Sequence, residues 1–116
     1  MIGLPVVALS VMIEQVKSGK GFIIKTNGDV APLNPTVEDN GTMVYDLKAV
    51  RSACNFDYVE IVRLRDDIIL LCDEEGLCKA NPVVNTIATK LFQNAIGSER
   101  VGIIGDCVIC HTKAVK

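Results

Sequence analysis

The sequence has no tryptophan and only two tyrosines and three phenylalanines among its 116 residues. Proteins that bind single-stranded nucleic acid stack successive bases on such rings, so this composition does not favour that function. Basic residues are not in excess either, because 12 Lys and Arg stand against 14 Asp and Glu and give a net charge of −2. Binding of duplex phosphates requires a basic surface, and we therefore expect no duplex nucleic acid as a partner.

Motifs for catalysis are also scarce. The one histidine, His111, has no arrangement of serine, cysteine or aspartate around it that is typical of a catalytic triad. Gly19-Lys20-Gly21 lacks the Gly-x4-Gly-Lys spacing of a phosphate-binding loop. The sequence therefore favours a protein that is not an enzyme, and we expect no cofactor.

The apolar opening of the chain is not typical of a targeting segment. Residues 3–13 have no basic stretch before them, are too short to cross a bilayer and lead directly into Glu14, Gln15 and Lys17. We expect neither a signal peptide nor a membrane anchor. An odd number of cysteines, five, favours a reducing compartment in which thiols act as small buried side chains. These features predict a cytoplasmic protein without a membrane partner.

The central part of the chain predicts a β-hairpin. Two apolar runs, 59–64 and 68–72, flank a short charged loop, which is a hairpin pattern. An acidic turn, Asp73-Glu74-Glu75-Gly76, follows. We expect residues 77–79 to extend the hairpin after this turn.

A second hairpin is predicted nearer the N-terminus. Asn27-Gly28 is a strong turn signal between strands at 22–25 and 29–33. Two prolines indicate that the second of these strands lies at a sheet edge or ends early. Residues 34–41 are predicted to form a loop, followed by a brief strand or lead-in at 42–44.

Three helical segments are predicted. Apolar residues at 6–17 have close to helical spacing, while the β-branched residues among them leave an N-terminal strand open as the alternative. Asp46 is expected to cap a helix that continues through Cys54. Asn81-Pro82 has the pattern of a third helix start, and Gly97 is expected to end that helix.

The last strand is predicted over 100–104 and 107–110, with an interruption at Gly105-Asp106. Together the elements predict an α+β fold in which two or three helices pack on one face of a mostly antiparallel sheet, built from two hairpins and the closing strand. We interpret 1–116 as a single domain. Within it we predict an N-terminal helical segment at 1–20, a core α+β domain at 21–110 and a polar tail at 111–116.

Cys107-Val108-Ile109-Cys110-His111 matches the C-x-x-C-H pattern of covalent haem attachment. In a strand, however, residues three apart point to opposite faces, so these two thiols cannot hold one haem or one metal. We interpret them as core side chains and expect no bound metal. A zinc site in which Cys72 and Cys78 face Cys107 or Cys110 is the minor alternative.

Acidic residues lie at both ends of the strand predicted at 68–72. Asp66-Asp67 precede it, and Asp73-Glu74-Glu75 follow it. Paired carboxylates can hold Mg²⁺ or act as acid and base, but Asp and Glu are also common in turns. We expect solvated turns, with a metal site as the alternative.

The predicted helix start at residue 81 carries the candidate ligand-binding residues. Asn81 is its cap, whereas Asn85 lies one turn further along, where a buried amide needs a partner. That partner is either a neighbouring loop carbonyl or a ligand at the helix N-terminus, where free N–H groups favour an anion. In the second case, Asn85→Ala should abolish binding and leave stability nearly unchanged. We predict these binding residues: Asn81, Asn85 and Lys90, with Lys79 and Asp106 as weaker candidates.

Several short motifs follow one another in the core segment: the Asn27-Gly28 turn, the strand that begins Tyr58-Val59-Glu60, Asn85-x-x-Ala88-Thr89-x-Leu91, and Val101-Gly102 before the final apolar strand. In this order they resemble a family of small domains of unknown function found in phages, prophages and plasmids. The resemblance covers roughly residues 21–110. It implies an α+β fold and a mobile-element setting, and it brings no known activity.

By association with small phage domains that lack catalytic motifs, we expect a non-enzymatic binding protein that inhibits a host or defence component in the host cytoplasm. It would sequester a small anionic ligand such as a signalling nucleotide, or contact a host protein. The alternatives are a small metal-dependent hydrolase or nuclease that uses the turn carboxylates, and a structural oligomer subunit. Because the N-terminal segment has more apolar surface than one small core needs, we also expect a homo-oligomer, at least a dimer.

Overall fold

The computed structural model describes residues 6–96 and 102–115. Within these residues the elements, in chain order, are α1 (Val6–Lys17), β1 (Phe22–Ile24), β2 (Val30–Pro32), β3 (Val37–Asp39), β4 (Thr42–Val44), α2 (Leu47–Cys54), β5 (Val59–Arg63), β6 (Ile68–Asp73), α3 (Thr86–Ile96) and β7 (Cys107–His111). Two short 3₁₀ turns lie at Gly76–Cys78 and Thr112–Ala114.

The main sheet has five strands in the order β2-β1-β7-β6-β5, and every neighbouring pair is antiparallel. β7 therefore lies at the centre, between the β1–β2 hairpin and the β5–β6 hairpin. All six residues of β6 and four of the five in β7 are buried. Strands that are covered on both faces have continuous apolar runs instead of alternation, which explains the sequences of β6 and β7.

Each face of the sheet has its own apolar core, since alternate residues of a strand point to opposite sides. One face is covered by α1 and α3, and the other by α2. Residues at the centre of the first core are Val16, Ile24, Leu70, Ala88 and Ile109, and those of the second are Val50, Leu71 and Val108. The α+β class, the antiparallel sheet and two helices on one face are confirmed, with α2 on the opposite face.

Local signals determine the hairpins and α2 as the sequence predicts. Gly28 has a φ of 94° in the turn before β2, and β2 forms one edge of the sheet. Asp46 accepts a hydrogen bond from the N–H of Lys48 at 3.1 Å and caps α2. Asn55 ends this helix in the left-handed conformation, with a φ of 56°. The first segment is a helix, α1, and not the alternative strand.

The prediction of a loop at 34–41 is wrong. β3 and β4 form a second, two-stranded sheet, joined by Asn40 and Gly41 with φ values of 51° and 83°. Positive φ at both central residues is the requirement of a type I′ hairpin turn, for which Asn-Gly is a preferred pair. The turn signal was therefore in the sequence, but the strands beside it are short and mostly exposed.

The predictions for 77–79 and for the start of the third helix are also wrong. Residues Gly76–Cys78 form a 3₁₀ turn, and α3 begins at Thr86. Asn85 N–H donates to the Ile103 carbonyl at 2.8 Å, and Gly105 N–H donates to the Val83 carbonyl at 2.8 Å. This pairing with the chain before β7 holds the segment extended, so Asn81-Pro82 does not begin a helix. Gly97 and residues 100–101, predicted to end the helix and begin the last strand, lie outside the described residues.

The C-terminal residues are not simply a polar tail. After β7 the chain forms the 3₁₀ turn Thr112–Ala114, and the side chain of Ala114 is buried in the core beneath α2. Tyr45 N–H donates to the Ala114 carbonyl at 2.8 Å and joins this turn to the end of β4. None of the helices within 6–96 and 102–115 is long and apolar enough to cross a membrane.

Candidate functional site

Asn85 is fully buried, and every polar atom of its side chain has a partner within the protein. Its Nδ2 donates to the carbonyl oxygens of Ile24 at 2.9 Å and Gly105 at 3.0 Å. Its Oδ1 accepts from the N–H of Ala88 at 3.1 Å and so caps α3. Asn85 thus has carbonyl partners within the protein, which was one of the two alternatives predicted for its side chain. Because the side chain is fully buried, none of its atoms is exposed to a ligand.

Three of the predicted binding residues line one depression at the Asp73 end of β6. We call it the Lys79 depression, and its volume is about 190 Å³. Gly105, whose carbonyl is held by Asn85, forms part of its wall. Small-molecule pockets are typically about 300–1,000 Å³, so this depression is small for a ligand. Its polar lining consists of Lys79, Asn81, Asp106, Asp73, Thr26 and Asn55.

The charges in the Lys79 depression already have partners. Lys79 Nζ lies 2.8 Å from Asp73 Oδ2 and donates to the Asn55 carbonyl at 3.1 Å. The hydrogen bond that Lys79 donates to the Asp73 carboxylate raises the pKa of Lys79. Asp106 Oδ1 accepts from the N–H of Thr26 at 2.9 Å. Two carboxylates and one lysine leave a net negative charge, which does not suit an anionic ligand.

Lys90, the remaining predicted residue, lies elsewhere. It borders a groove of about 540 Å³ between α1 and α3, close to the β5–β6 loop. That loop is at the opposite end of β6 from Asp73. The structure thus groups Lys79, Asn81 and Asp106, places Asn85 behind their wall, and separates Lys90 from all of them.

A larger depression beside α2 was not predicted from the sequence. We call it the α2 depression; it is open, has a volume of about 690 Å³, and shares two residues with the Lys79 depression, Asn55 and Phe56. Lys48 and Arg51 are one helical turn apart on α2, and Tyr58 is 60% exposed. Its full lining is Lys48, Arg51, Ser52, Asn55, Phe56, Asp57 and Tyr58.

Neither cation of the α2 depression is neutralised within the described part of the chain. The side-chain ion pairs among the described residues are Lys79 with Asp73 and Lys17 with Glu14, and neither includes Lys48 or Arg51. On α2, Lys48 is exposed and Arg51 is half-buried, whereas Val50 and Cys54 are buried. The sequence did carry a signal for this site, because these two basic residues occupy the polar face of a well-capped helix shortly before an exposed tyrosine.

The turn carboxylates do not converge. Asp66 and Asp67 lie in the β5–β6 loop, while Asp73 to Glu75 lie at the other end of β6. Asp73 accepts from the N–H of Glu75 at 2.9 Å and pairs with Lys79. In the two described ranges, no three or more His, Cys, Asp or Glu side chains are grouped so that they could hold a metal ion.

The thiols of the C-x-x-C-H motif belong to different cores, as strand geometry predicts. Cys107 packs in the core beneath α1 and α3, and Cys110 in the core beneath α2. Cys72 hydrogen-bonds to Cys107, and this contact, followed by burial, raises the pKa of Cys107. Burial raises the pKa of Cys110, and that of Cys54, to about 12. Cys78, by contrast, is exposed.

Alkylation should therefore distinguish one cysteine from the other four. We expect iodoacetamide at pH 8 to modify Cys78 rapidly in the folded protein, because only the thiolate reacts and the other four thiols are buried. The raised pKa values of Cys54, Cys107 and Cys110 slow their reaction further. Intact-mass spectrometry should show a single addition under native conditions and five in denaturant. Several fast additions to the folded protein would contradict this assignment, and Cys78→Ser is the control that should remove the single one.

Comparison with known proteins identifies a family without an assigned function. A family model described as "Domain of unknown function (DUF3846)" matches residues 20–115. The matched region begins after α1, although Met12 and Val16 of α1 are part of the apolar core. Neither the curated proteins nor the solved structures include a significant match. The match spans most of the chain and agrees with the unknown-function family that the sequence motifs indicated. The chain belongs to the DUF3846 family.

Proposed function

We propose that this protein is a non-enzymatic binding protein that sequesters a small anionic ligand with a planar ring, such as a signalling nucleotide, in the α2 depression. The observation that carries the proposal is the placement of two unneutralised cations, Lys48 and Arg51, beside the exposed ring of Tyr58. The volume of about 690 Å³ is within the range of small-molecule sites.

Each of these side chains has a distinct role in the proposal. Arg51 presents a planar fork that can bind a phosphate through two hydrogen bonds, and Lys48 adds a point charge. The ring of Tyr58 offers a face on which a base can stack. Asp57, at the same rim, provides an acceptor for hydroxyl or amino groups of the ligand.

The residues predicted from the sequence have secondary positions in this arrangement. Because the two depressions meet at Asn55, an uncharged part of the ligand that extends past it would reach Lys79, and then Asn81 and Asp106. Asn85 would shape the wall at Gly105 without touching the ligand. Lys90 takes no part, because it borders the groove between α1 and α3, on the other face of the sheet from α2.

Sequestration would inhibit a host or defence component by lowering the free concentration of the molecule that activates it. The mobile-element setting is supported by the sequence resemblance alone. Contact with a host protein is the second way in which such a domain could act, and we treat it as an outcome of the experiment below.

Native mass spectrometry of protein purified gently from its expression host tests the proposal. We expect extra mass in the nucleotide range, and in titrations with cyclic mononucleotides, cyclic dinucleotides and linear nucleoside polyphosphates we expect one class to bind. Arg51→Ala and Tyr58→Ala should each weaken that binding about 10- to 100-fold, because a charged hydrogen bond contributes about 1.5–3 kcal/mol and a stacked base about 1–3 kcal/mol.

The matched control is Lys20→Ala, which removes an exposed cation that lines neither depression and should leave the affinity unchanged. If both site variants bind as well as the parent protein, the α2 depression is not the site. If the purified protein carries no extra mass and no nucleotide class binds, the sequestering function is wrong, and a pull-down from host lysate becomes the next step.

A further inference from the structure

Within the described residues, β5 is an edge strand whose outer side pairs with no other strand. The backbone carbonyl of Tyr58 accepts a hydrogen bond from Glu74 N–H at 3.0 Å, and Leu64 N–H donates to the Ile68 carbonyl at 2.9 Å. Backbone bonding alternates along an antiparallel pair, so the even-numbered residues of β5 bond to β6 and the odd-numbered ones point away from it. No strand among the described residues pairs with this outer edge.

The two edges of the sheet differ in how they are protected. β2 has three residues and ends with Pro32, which lacks an N–H. β5 has five residues and no proline, and Ile61 at its centre is 53% exposed. Natural proteins usually shield an edge with proline, inward charges or a short strand, and an exposed isoleucine at the centre of a free edge is typical of a strand that pairs with another.

We infer that a second copy of this chain pairs antiparallel with β5, about a two-fold axis at Ile61. A two-fold antiparallel pair is centred on one residue, because neighbouring residue pairs alternate in their hydrogen bonding and cannot be equivalent. Centring on Glu60 would place two glutamates opposite each other, which is destabilising. Centring on Ile61 places the two exposed isoleucines together.

Charged residues just outside the two ends of β5 complement each other in this register. The strand is preceded by Asp57 and followed by Arg65, and both lie four residues from Ile61. Antiparallel pairing about Ile61 brings Asp57 of each copy opposite Arg65 of the other. Both N–H···O bonds can form between the two Ile61 residues and between Val59 and Arg63 of opposite copies. The two five-stranded sheets then become one continuous sheet across the dimer. The interface is isologous, because the two-fold axis brings the same surface of both copies together.

Size-exclusion chromatography with light scattering over a range of protein concentrations tests the dimer. We expect twice the chain mass of 12.5 kDa at high concentration and the monomer mass for Ile61→Lys. The half-exposed side chain of Ile61 makes little core contact, so circular dichroism should show that the variant is folded. Val37→Lys, which changes an exposed valine on β3, is the matched control and should remain a dimer.

Amide hydrogen exchange locates the interface without a mutation. The N–H groups of Val59, Ile61 and Arg63 should exchange at least about tenfold more slowly in the concentrated dimer than in dilute protein or in Ile61→Lys. A monomer at every concentration overturns the inference. So does a dimer that persists in Ile61→Lys with these three amides exchanging freely, because its interface would lie elsewhere. Neither result depends on whether the α2 depression binds a ligand.

Discussion

Replacing Asn85 with alanine should lower the free energy of unfolding by about 3 kcal/mol. The variant loses the cap on α3, which is worth about 1 kcal/mol. It also removes the donor to the carbonyls of Ile24 and Gly105, and a buried polar group that loses its partner costs about 1–3 kcal/mol. Urea denaturation followed by circular dichroism gives the difference, provided that the parent and variant have similar denaturant slopes.

Asn81→Ala is the matched control, because the side chain of Asn81 is exposed and does not cap α3. Its free energy of unfolding should lie within about 0.5 kcal/mol of the parent value. A loss of less than about 1 kcal/mol for Asn85→Ala, accompanied by loss of ligand binding, would restore the hypothesis that Asn85 touches a ligand. The hydrogen bonds of the buried amide favour the structural outcome.

Gly21→Ala should be similarly damaging, and for a steric reason. A Cβ atom at Gly21 would collide with the Tyr45 hydroxyl and lie 2.6 Å from the Leu33 carbonyl oxygen. Tyr45 is buried, and its hydroxyl donates to that same carbonyl, so neither group can move freely. Overpacking costs about 1–3 kcal/mol, and loss of the hydrogen bond adds about 1 kcal/mol. We expect thermal unfolding about 10 °C below that of the parent protein.

A double-mutant cycle with Tyr45→Phe separates the clash from other effects of the added methyl group. Removing the hydroxyl takes away the nearest obstacle, so Gly21→Ala should cost less in the Tyr45→Phe background than in the parent protein. If the cost is the same in both backgrounds, the Tyr45 hydroxyl is not the cause. Gly19→Ala provides a further comparison, because the space around Gly19 is open and the substitution there meets only the strain of a φ of 106°.

Much of the fold was predictable because it depends on local patterns. The apolar runs of β5 and β6, the Asn27-Gly28 turn and the capping by Asp46 each determine structure within a few residues. Asn81-Pro82 is the instructive failure. Its capping pattern is sound locally, but backbone bonds from Val83 and Asn85 to residues 103–105 override it. Such long-range pairing leaves no periodic signal in the sequence segment that it reshapes.

The candidate site was harder to predict than the fold, because it depends on which distant residues meet. The order of strands brings Asp106 beside Thr26 and Asp73, which explains why Asp106 joins Lys79 and Asn81 although they are far apart in sequence. Lys90 is only five residues from Asn85, yet α3 carries it towards the other end of the sheet. Proximity in sequence was therefore not enough to bring Lys90 together with the other predicted residues, and the prediction did not include Lys48 and Arg51 on α2.

The central position of β7 has a consequence for how the chain is made. Translation delivers β1, β2, β5 and β6 first, but within residues 6–96 and 102–115 these two hairpins are joined in the sheet only through β7. Until residues 107–111 leave the ribosome, the inner edges of β1 and β6 have no partner, and both remain open to wrong pairing. The sheet can therefore close only after residues 107–111 have been synthesised, and truncation before β7 would leave two separate hairpins, not a destabilised domain.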